Sequence, residues 1–527
     1  METQAQDGGS PGRRLAWSTA IFSAATGLSR VLGLLREIVA ANYFGARGPI
    51  NAFTVAFQIP NLVRALVADA ALSSAFVPVF SELLEKGERA RAWRVASTVF
   101  WLFLLVVGGL TALFILAAPL LMPPLTNAYD ALAVTLSQIL FPIVVLIGLF
   151  GIVTGILNSY DEFSIPALTP VFWNLAIIVG LVVGVPRADG DEAKLYVYAG
   201  SIVAGTVLQL LLPLPWLRGR DGRLRLALDV RDPAVRQVFK LMGPVMLGLG
   251  LINVNAVIGT IVAAKWIDPT IAPNAIDKAF RIYMLPQGMF SVAVATVLFP
   301  TLARFAARGD EEGFRDTVAR GLRQINFLLL PAAAASIVLA EPIVRLLYER
   351  GAFEPDQTHV VAGALAAFSI GLTFNGMMLM LNRGFFSLQQ PWVPTVVALA
   401  NLALTVALYA VFYRVGTWGI PLAISLANIA GVFLLLVALR RRIGRIELTG
   451  TLRSFALVSV ASAVLAGVSY GVWRALDEAL GRSFPAQLAA VGTALVVGAA
   501  AYLLACRALR VPEMAALLSL RDRFRRG

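Results

Sequence analysis

Long apolar stretches, each of about 20 residues or more, recur along almost the whole chain and restrict its fold more than any other feature. In lipid, only a helix or a closed barrel satisfies its own backbone hydrogen bonds. Hydrophobic residues make up 58% of the sequence and charged residues only 14%, which excludes an ordinary soluble globular protein. We therefore predict an all-α polytopic membrane protein with about 14 transmembrane helices, at approximately 16–41, 49–82, 93–122, 129–158, 164–186, 193–217, 236–266, 274–303, 324–347, 358–388, 392–413, 418–439, 454–474 and 486–508.

The basic residues of the connecting segments predict the orientation of these helices. With the N-terminus in the cytoplasm and sides alternating, the inner segments hold 29 Lys and Arg residues and the outer segments hold 9. This bias satisfies the positive-inside rule with both termini in the cytoplasm. It also explains the net charge of +13 without a nucleic-acid partner, so we expect a multi-pass membrane protein that contacts the lipid bilayer and no nucleic acid.

An internal repeat predicts the domain organisation. Five residues of the second predicted helix recur 223 positions later in the eighth: Asn51, Ala52, Ala56, Phe57 and Ile59 match Asn274, Ala275, Ala279, Phe280 and Ile282. The copies are six helices apart and therefore share one orientation, which is typical of two-lobed transporters with a central site. Both helices are too long for a simple span and contain prolines, at Pro60, Pro78, Pro286 and Pro300. We predict a cytoplasmic N-terminal tail (1–15), an N-lobe of six helices (16–217), a cytoplasmic linker (218–235), a C-lobe of six helices (236–441), a pair of appended helices (442–508) and a basic cytoplasmic tail (509–527).

Charged residues within the predicted helices indicate the chemistry of the substrate. Once the basic residues of the inner and outer segments are counted, six bases are assigned to the membrane interior, Arg30, Arg36, Arg64, Lys278, Arg281 and Arg383, and the intramembrane acids are Glu37, Asp69 and Asp277. Because an intramembrane charge is costly, a surplus of cations indicates a water-filled cavity or an anionic ligand, and the arginine fork suits a diphosphate. The alternative is internal ion pairing of Asp277 with Arg281 (spaced i,i+4), of Glu37 with Arg30 on one helix face, and of Asp69 with Arg64. Even complete pairing leaves three bases unmatched, and Arg383 could instead extend to the inner surface.

Several short motifs occur between the first predicted helix and residue 440: Ser29-Arg30-Val31-Leu32-Gly33 with Arg36-Glu37, Asn51-Ala52-Phe53 with Ala56-Phe57, Pro60-Asn61-Leu62 with Arg64, Ala75-Phe76-Val77-Pro78, Leu157-Asn158-Ser159 with Phe163 and Ile165-Pro166-Ala167, Gly243-Pro244, and Arg350-Gly351-Ala352-Phe353. In combination they resemble the MviN/MurJ family of lipid II flippases, and the resemblance covers residues 16–440.

The resemblance implies a MATE-like fold of the multidrug/oligosaccharidyl-lipid/polysaccharide exporter superfamily, with two lobes around a cationic cavity. It implies lipid II, a polyprenyl-diphosphate-linked disaccharide peptide, as the substrate, carried to the outer leaflet of the bacterial cytoplasmic (inner) membrane by alternating access for peptidoglycan synthesis. It also implies that the last two helices (442–508) form a groove for the lipid tail. Cell-wall synthesis machinery is a further candidate partner. The family's cavity arginines fall on Arg30, Arg36, Arg64 and Arg281, and supporting or gating positions fall on Glu37, Asn51, Asn61, Asp69, Asp277 and Lys278. Asn51 departs from the family, which has an acid there, so we expect a different outer gate in this chain.

Three other functions stay open at the level of sequence. A drug or cation antiporter of the same fold would carry more cavity acids than bases. A membrane-embedded glycosyl- or phosphotransferase would need acid–base residues or a carboxylate–metal site, and a scaffold would not need cavity charges. One cysteine, Cys506, and one histidine, His359, cannot build a His/Cys metal site, so we expect neither an enzyme nor a cofactor. The coupling ion is unknown, although Asn255 and Asn401 are candidate ligands for a small cation.

Overall fold

The described part of the protein is built from helices, as the apolar stretches predict. The structure, a computed structural model, describes residues 11–65, 71–444 and 448–514, and these contain no β-strand. The chain divides into two compact units, Met1–Phe44 with Pro49–Val257 and Gly45–Gly48 with Ile258–Gly527. The helices up to the end of the first unit are α1 (Pro11–Phe44), α2 (Ile50–Arg64), α3 (Ala71–Glu85), α4 (Arg89–Leu121), α5 (Asp130–Leu140), α6 (Ile143–Ser159), α7 (Ser164–Val179), α8 (Asp191–Leu211) and α9 (Pro233–Val262).

The second unit continues with ten helices. They are α10 (Ala272–Pro286), α11 (Val292–Arg308), α12 (Glu311–Val338), α13 (Ala340–Tyr348), α14 (Pro355–Ile370), α15 (Leu372–Ser387), α16 (Trp392–Phe412), α17 (Gly419–Ile443), α18 (Leu448–Leu480) and α19 (Phe484–Ala508). Ten helical segments of the described chain are long and apolar enough to cross a bilayer, or eleven if α14 and α15 form one bent span. This confirms a multi-pass all-α membrane protein, while the number 14 stays a prediction.

Several stretches predicted as single helices are divided where the backbone cannot continue an ideal helix. The predicted span 129–158 consists of α5 and α6, which meet at Pro142, a residue with no N–H to donate. The predicted span 358–388 consists of α14 and α15, which are bent by 42° at Gly371. Downstream of Pro286 the helix widens into a π-helical turn, Gln287–Ser291, before α11 begins.

The two units repeat one pattern of helix packing, as the sequence repeat predicts. In the first unit, α2 packs on α5, α3 on α6, α4 on α6 and α7 on α8; in the second, α10 packs on α14, α11 on α15, α12 on α15 and α16 on α17. A buried cluster centred on Phe76, Phe80 and Trp93 fills the first unit, where α3 and α4 meet α6. Its aromatic rings contribute packing area and edge-to-face contacts, such as that between Phe80 and Trp93.

Local sequence ends one helix and starts the next at the junction of α11 and α12. Gly309 adopts φ 67°, the left-handed conformation that glycine accepts without a Cβ penalty, and so terminates α11. Asp310 then caps α12, because its carboxylate accepts a 2.8 Å hydrogen bond from the Gly313 N–H. Acidic residues Glu311 and Glu312 in the first turn complement the helix dipole.

A hydrogen bond between α12 and α19 compensates for a proline inside α12. Pro331 has no N–H, so the carbonyl of Phe327, four residues earlier, lacks its ordinary helical donor. The Tyr502 hydroxyl of α19 donates to that oxygen at 2.7 Å, and the tyrosine is buried. A hydrogen bond therefore joins α19 to α12, in addition to the apolar packing between these two helices.

Candidate functional site

Arg36 is buried in the first unit, and three other side chains contact its guanidinium. Its guanidinium donates to the Glu37 carboxylate at 2.7 Å and to Asn174 Oδ1 on α7 at 3.2 Å. The Trp173 ring lies 4.7 Å from its central carbon, in cation–π geometry. Trp173 is held in turn because its indole N–H donates to Thr206 of α8 at 3.1 Å. Arg36 and Glu37 are each less than 10% exposed, so this is a buried ion pair.

The arrangement corrects one predicted pairing. Glu37 pairs with its neighbour Arg36, and not with Arg30, with which it shares a helix face. Adjacent helix residues do not ordinarily face each other, but the long Arg36 side chain reaches both Glu37 on α1 and Asn174 on α7. Asn174 is oriented by its own amide, which donates to the Pro170 carbonyl at 2.9 Å.

Arg30 lies on the exposed side of α1 and lines a cavity of about 320 Å³, here called the Arg30 cavity. Among the described residues, no hydrogen bond or ion pair to its guanidinium is present, so the predicted acidic partner is absent there. The cavity is formed by α1, α6, α7 and the loop between the last two, and it is lined by Thr26, Ser29, Arg30, Phe150, Thr154, Asn158, Phe163, Pro166, Ala167 and Pro170. A cation without a counter-charge in a small cavity is suited to bind an anion.

Arg64 ends α2 and folds back onto the same helix. Its Nε and one terminal nitrogen donate to Asn61 Oδ1 at 3.1 and 2.8 Å, so Asn61 supports the guanidinium as the motif implies. Asp69, the predicted partner of Arg64, lies outside the described residues. Asn51 is almost fully buried near the start of α2.

Each intramembrane cation predicted in the second unit contacts a carboxylate or an aromatic ring of that unit. Arg281 and Asp277 form the i,i+4 ion pair that the alternative interpretation predicts, at 2.8 Å, with both side chains partly exposed. Lys278 is buried with its ammonium 5.0 Å from the centre of the Tyr348 ring. Arg383 lies 5.3 Å from the Phe299 ring. Arg281 therefore already has a carboxylate partner, which an anionic ligand would have to share or displace.

Of the predicted linker 218–235, the residues before α9, here called the 218–232 segment, are attached to the N-terminal end of α4. Arg91 donates to both carboxylate oxygens of Asp232, at 3.0 and 2.9 Å. These hydrogen bonds lower the pKa of Asp232 below its ordinary value. Two backbone N–H groups of the segment, at Arg225 and Asp229, donate to Ser97 and Thr98 of α4.

The 218–232 segment also contacts the loop between α6 and α7, which lines the Arg30 cavity. The Tyr160 hydroxyl, between α6 and α7, donates to Asp221 at 3.1 Å and accepts from the Trp93 indole at 3.1 Å. Three residues later, Phe163 lines the Arg30 cavity. The position of this cavity wall is therefore coupled to the 218–232 segment.

Sequence reasoning missed Trp173, Asn174 and Thr154 as parts of the site. A polar residue within an apolar helix, as Asn174 is in the predicted span 164–186, was the available signal. Asn158 appeared only as part of a family motif, and the structure brings it to the same cavity as Arg30.

Comparison with known proteins identifies the family. A family model described as lipid II flippase MurJ matches residues 40–487. A lipid II flippase MurJ from Burkholderia cenocepacia is 32% identical over 461 residues, which cover 85% of this chain and 88% of that protein. A solved structure of a lipid II flippase MurJ in an inward closed conformation is similar with a TM-score of 0.77 and 25% identity, covering 92% of this chain and 98% of that one.

A multidrug resistance MATE family transporter of the MOP superfamily, solved in an inward-facing conformation, shares the fold. Its TM-score is 0.68 at 16% identity, with 81% of this chain and 98% of that chain covered. These matches confirm the resemblance carried by the sequence motifs and the predicted fold class. The chain is a multi-pass membrane protein that belongs to the MurJ family of lipid II flippases.

Proposed function

We propose that this protein is a lipid II flippase of the bacterial cytoplasmic membrane, with both termini in the cytoplasm. It moves the polyprenyl-diphosphate-linked peptidoglycan precursor from the inner to the outer leaflet by alternating access. The observation that carries the proposal is Arg30, a guanidinium that lines a cavity and has no acidic partner among the described residues. A diphosphate supplies the missing counter-charge and accepts the planar fork of donors.

The other cations have different parts in this proposal. Arg64 binds the diphosphate together with Arg30, oriented by Asn61. Arg36, although paired with Glu37, contributes positive electrostatic potential. Its hydrogen bond to Asn174 also stabilises the packing of α1 against α7. Arg281 is a further diphosphate ligand once its bond to Asp277 is shared. The protein carries out transport and not catalysis, and no cofactor takes part. Moving the anionic head across the bilayer couples translocation to the membrane potential, at about 2.3 kcal/mol per charge per 100 mV.

Complementation tests this function. The host's own lipid II flippase is depleted in a bacterium, this chain is supplied, and lipid II is quantified in each leaflet. We expect the wild-type chain to restore growth and export, and Arg30→Ala to abolish both at equal membrane abundance. Arg30→Lys should restore export only in part, because an ammonium keeps the charge but loses the bidentate geometry. Arg482→Ala, which removes an exposed arginine between α18 and α19, is the matched control and should behave as wild type.

Two results would contradict the proposal. One is normal export by Arg30→Ala. The other is a well-inserted wild-type chain that neither restores growth nor translocates lipid II in vesicles of purified protein. Translocation in such vesicles, which contain no other protein, also excludes a scaffold role and a transferase role as the source of the activity.

A further inference from the structure

The Arg30 cavity carries more recognition chemistry than a diphosphate requires. Along α6, Phe150, Thr154 and Asn158 are spaced four residues apart and therefore project from one helix face into the cavity. The face thus presents an aromatic ring, a hydroxyl and a carboxamide in succession. The hydroxyl and the carboxamide carry no charge, and each can both donate and accept hydrogen bonds, as the hydroxyl and amide groups of a sugar require.

Thr154 has an unsatisfied polar atom at this wall. Its Oγ1 is buried and has no hydrogen-bond partner among the described residues. Hydroxyl side chains within helices ordinarily donate to the carbonyl four residues earlier, as Ser159 does to Gly155 at 2.9 Å and Thr206 does to Ile202 at 2.7 Å. A buried hydroxyl without a partner costs free energy, and a ligand that hydrogen-bonds to it removes that cost.

The part of the lining at the start of α7 is apolar, while Thr26 and Ser29 of α1 add two hydroxyl-bearing residues to the lining. Phe163, Pro166 and Pro170 lie beside the polar groups of α6, and the rings of the prolines restrict the backbone at the start of α7. A pocket with an apolar wall and a few directed polar groups selects ligands by shape and by hydrogen bonding. The matching ligand is a compact ring that carries hydroxyl or amide groups and is joined to an anion.

We propose that Thr154 and Asn158 bind the sugar ring attached directly to the diphosphate, while Arg30 binds the phosphate beside it. The inference rests on the proposed function and deepens it by naming the residues that distinguish a sugar-bearing lipid from the bare polyprenyl diphosphate. A site built to hydrogen-bond a hydroxyl discriminates strongly against analogues that lack it, because its buried polar groups are then left unpaired.

The test compares two probes on the purified full-length protein in lipid nanodiscs: lipid II and undecaprenyl diphosphate, which lacks the sugar. Thr154→Val keeps the shape of the side chain and removes only its hydroxyl. We expect it to weaken lipid II binding by about threefold to tenfold and to leave undecaprenyl diphosphate binding unchanged. Asn158→Ser should show the same selective loss, as a second variant that does not depend on the folding of the first.

Thr111→Val is the matched control. Thr111 of α4 also has a buried hydroxyl without a partner among the described residues, but it lies outside the Arg30 cavity. This variant should bind both probes as the wild type does.

Three other outcomes would refute either the sugar assignment or the proposed function. Equal weakening of both probes by Thr154→Val would show that the cavity recognises only the diphosphate and would overturn the sugar assignment. Unchanged lipid II binding by both Thr154→Val and Asn158→Ser, with normal binding by the wild type, would overturn the inference and leave the proposed function intact. A wild-type protein that binds neither probe would contradict the proposed function itself.

Discussion

Replacement of Arg36 by alanine should affect the protein through stability, unlike replacement of Arg30. Arg36→Ala leaves the Glu37 carboxylate, only 7% exposed, without its guanidinium partner and takes the cation from the Trp173 face. Removing one partner of a buried ion pair costs about 3–5 kcal/mol. Arg30 is exposed and without such a partner among the described residues, so Arg30→Ala should cost little.

Thermal unfolding of the purified proteins measures the difference. At about 2–4 °C per kcal/mol for a unit of roughly 250 residues, Arg36→Ala should lower Tm by roughly 6–20 °C. Arg30→Ala should remain within about 2 °C of wild type.

A double substitution separates the ion pair from other effects of Arg36. Arg36→Met with Glu37→Gln removes both charges and keeps most of the buried volume, so it should be more stable than Arg36→Ala alone. The reasoning would be refuted if Arg36→Ala unfolded at the wild-type temperature, or if the double variant were no more stable than the single one. Either result would mean that Glu37 obtains its stabilisation elsewhere.

Three further perturbations follow from the contacts described above. Tyr502→Phe should lower the free energy of unfolding by about 1–3 kcal/mol, measured by thermal unfolding, because it leaves the Phe327 carbonyl buried without a donor. The lowered pKa of Asp232 means that its pairing with Arg91 stabilises the 218–232 segment fully above the unfolded pKa of about 3.9, and that this stabilisation is lost as the pH falls through the lower folded value. Limited proteolysis of that segment should therefore accelerate only at acidic pH. Gly371→Ala should reduce folded protein and transport, because the added Cβ would lie 2.6 Å from the Ser425 Cα, a backbone atom that cannot move aside easily.

Matched variants control these three predictions. Tyr470→Phe changes an exposed tyrosine of α18 and should leave the unfolding temperature unchanged. The protease should cleave the Asp232→Asn variant faster than wild type at neutral pH, and cleavage of the variant should not accelerate further as the pH falls. If cleavage of the variant still accelerates at acidic pH, Asp232 is not the source of the acid dependence. Gly363→Ala places a Cβ 3.9 Å from its nearest neighbour, an ordinary contact, so normal folding of both glycine variants would contradict the steric argument at Gly371.

The charged site was predictable in part. Hydropathy identified Arg30, Arg36, Arg64, Lys278 and Arg281 as cations within apolar helices, because the cost of such charges makes them rare. Helical spacing offered the Asp277–Arg281 ion pair as the alternative to an anion-binding role, because residues four apart on one helix are neighbours in any context. The partner of Glu37 could not be predicted in the same way, since the choice between Arg30 and Arg36 depends on what the adjacent helix presents.

The sequence by itself determined the membrane-spanning all-α class, the internal repeat and the family. These properties depend on the hydropathy of the chain, the spacing of its internal repeat and its short motifs. All of these features are local or periodic along the sequence. Only the tertiary structure decided that Arg36 is a buried structural cation and Arg30 a cavity residue, although both carry the same side chain on one helix. The physical reason is that Asn174, 138 positions away from Arg36, and the α6 wall of the Arg30 cavity are brought to α1 by packing. Which groups a long side chain meets is therefore a property of the packed helices and not of helical periodicity.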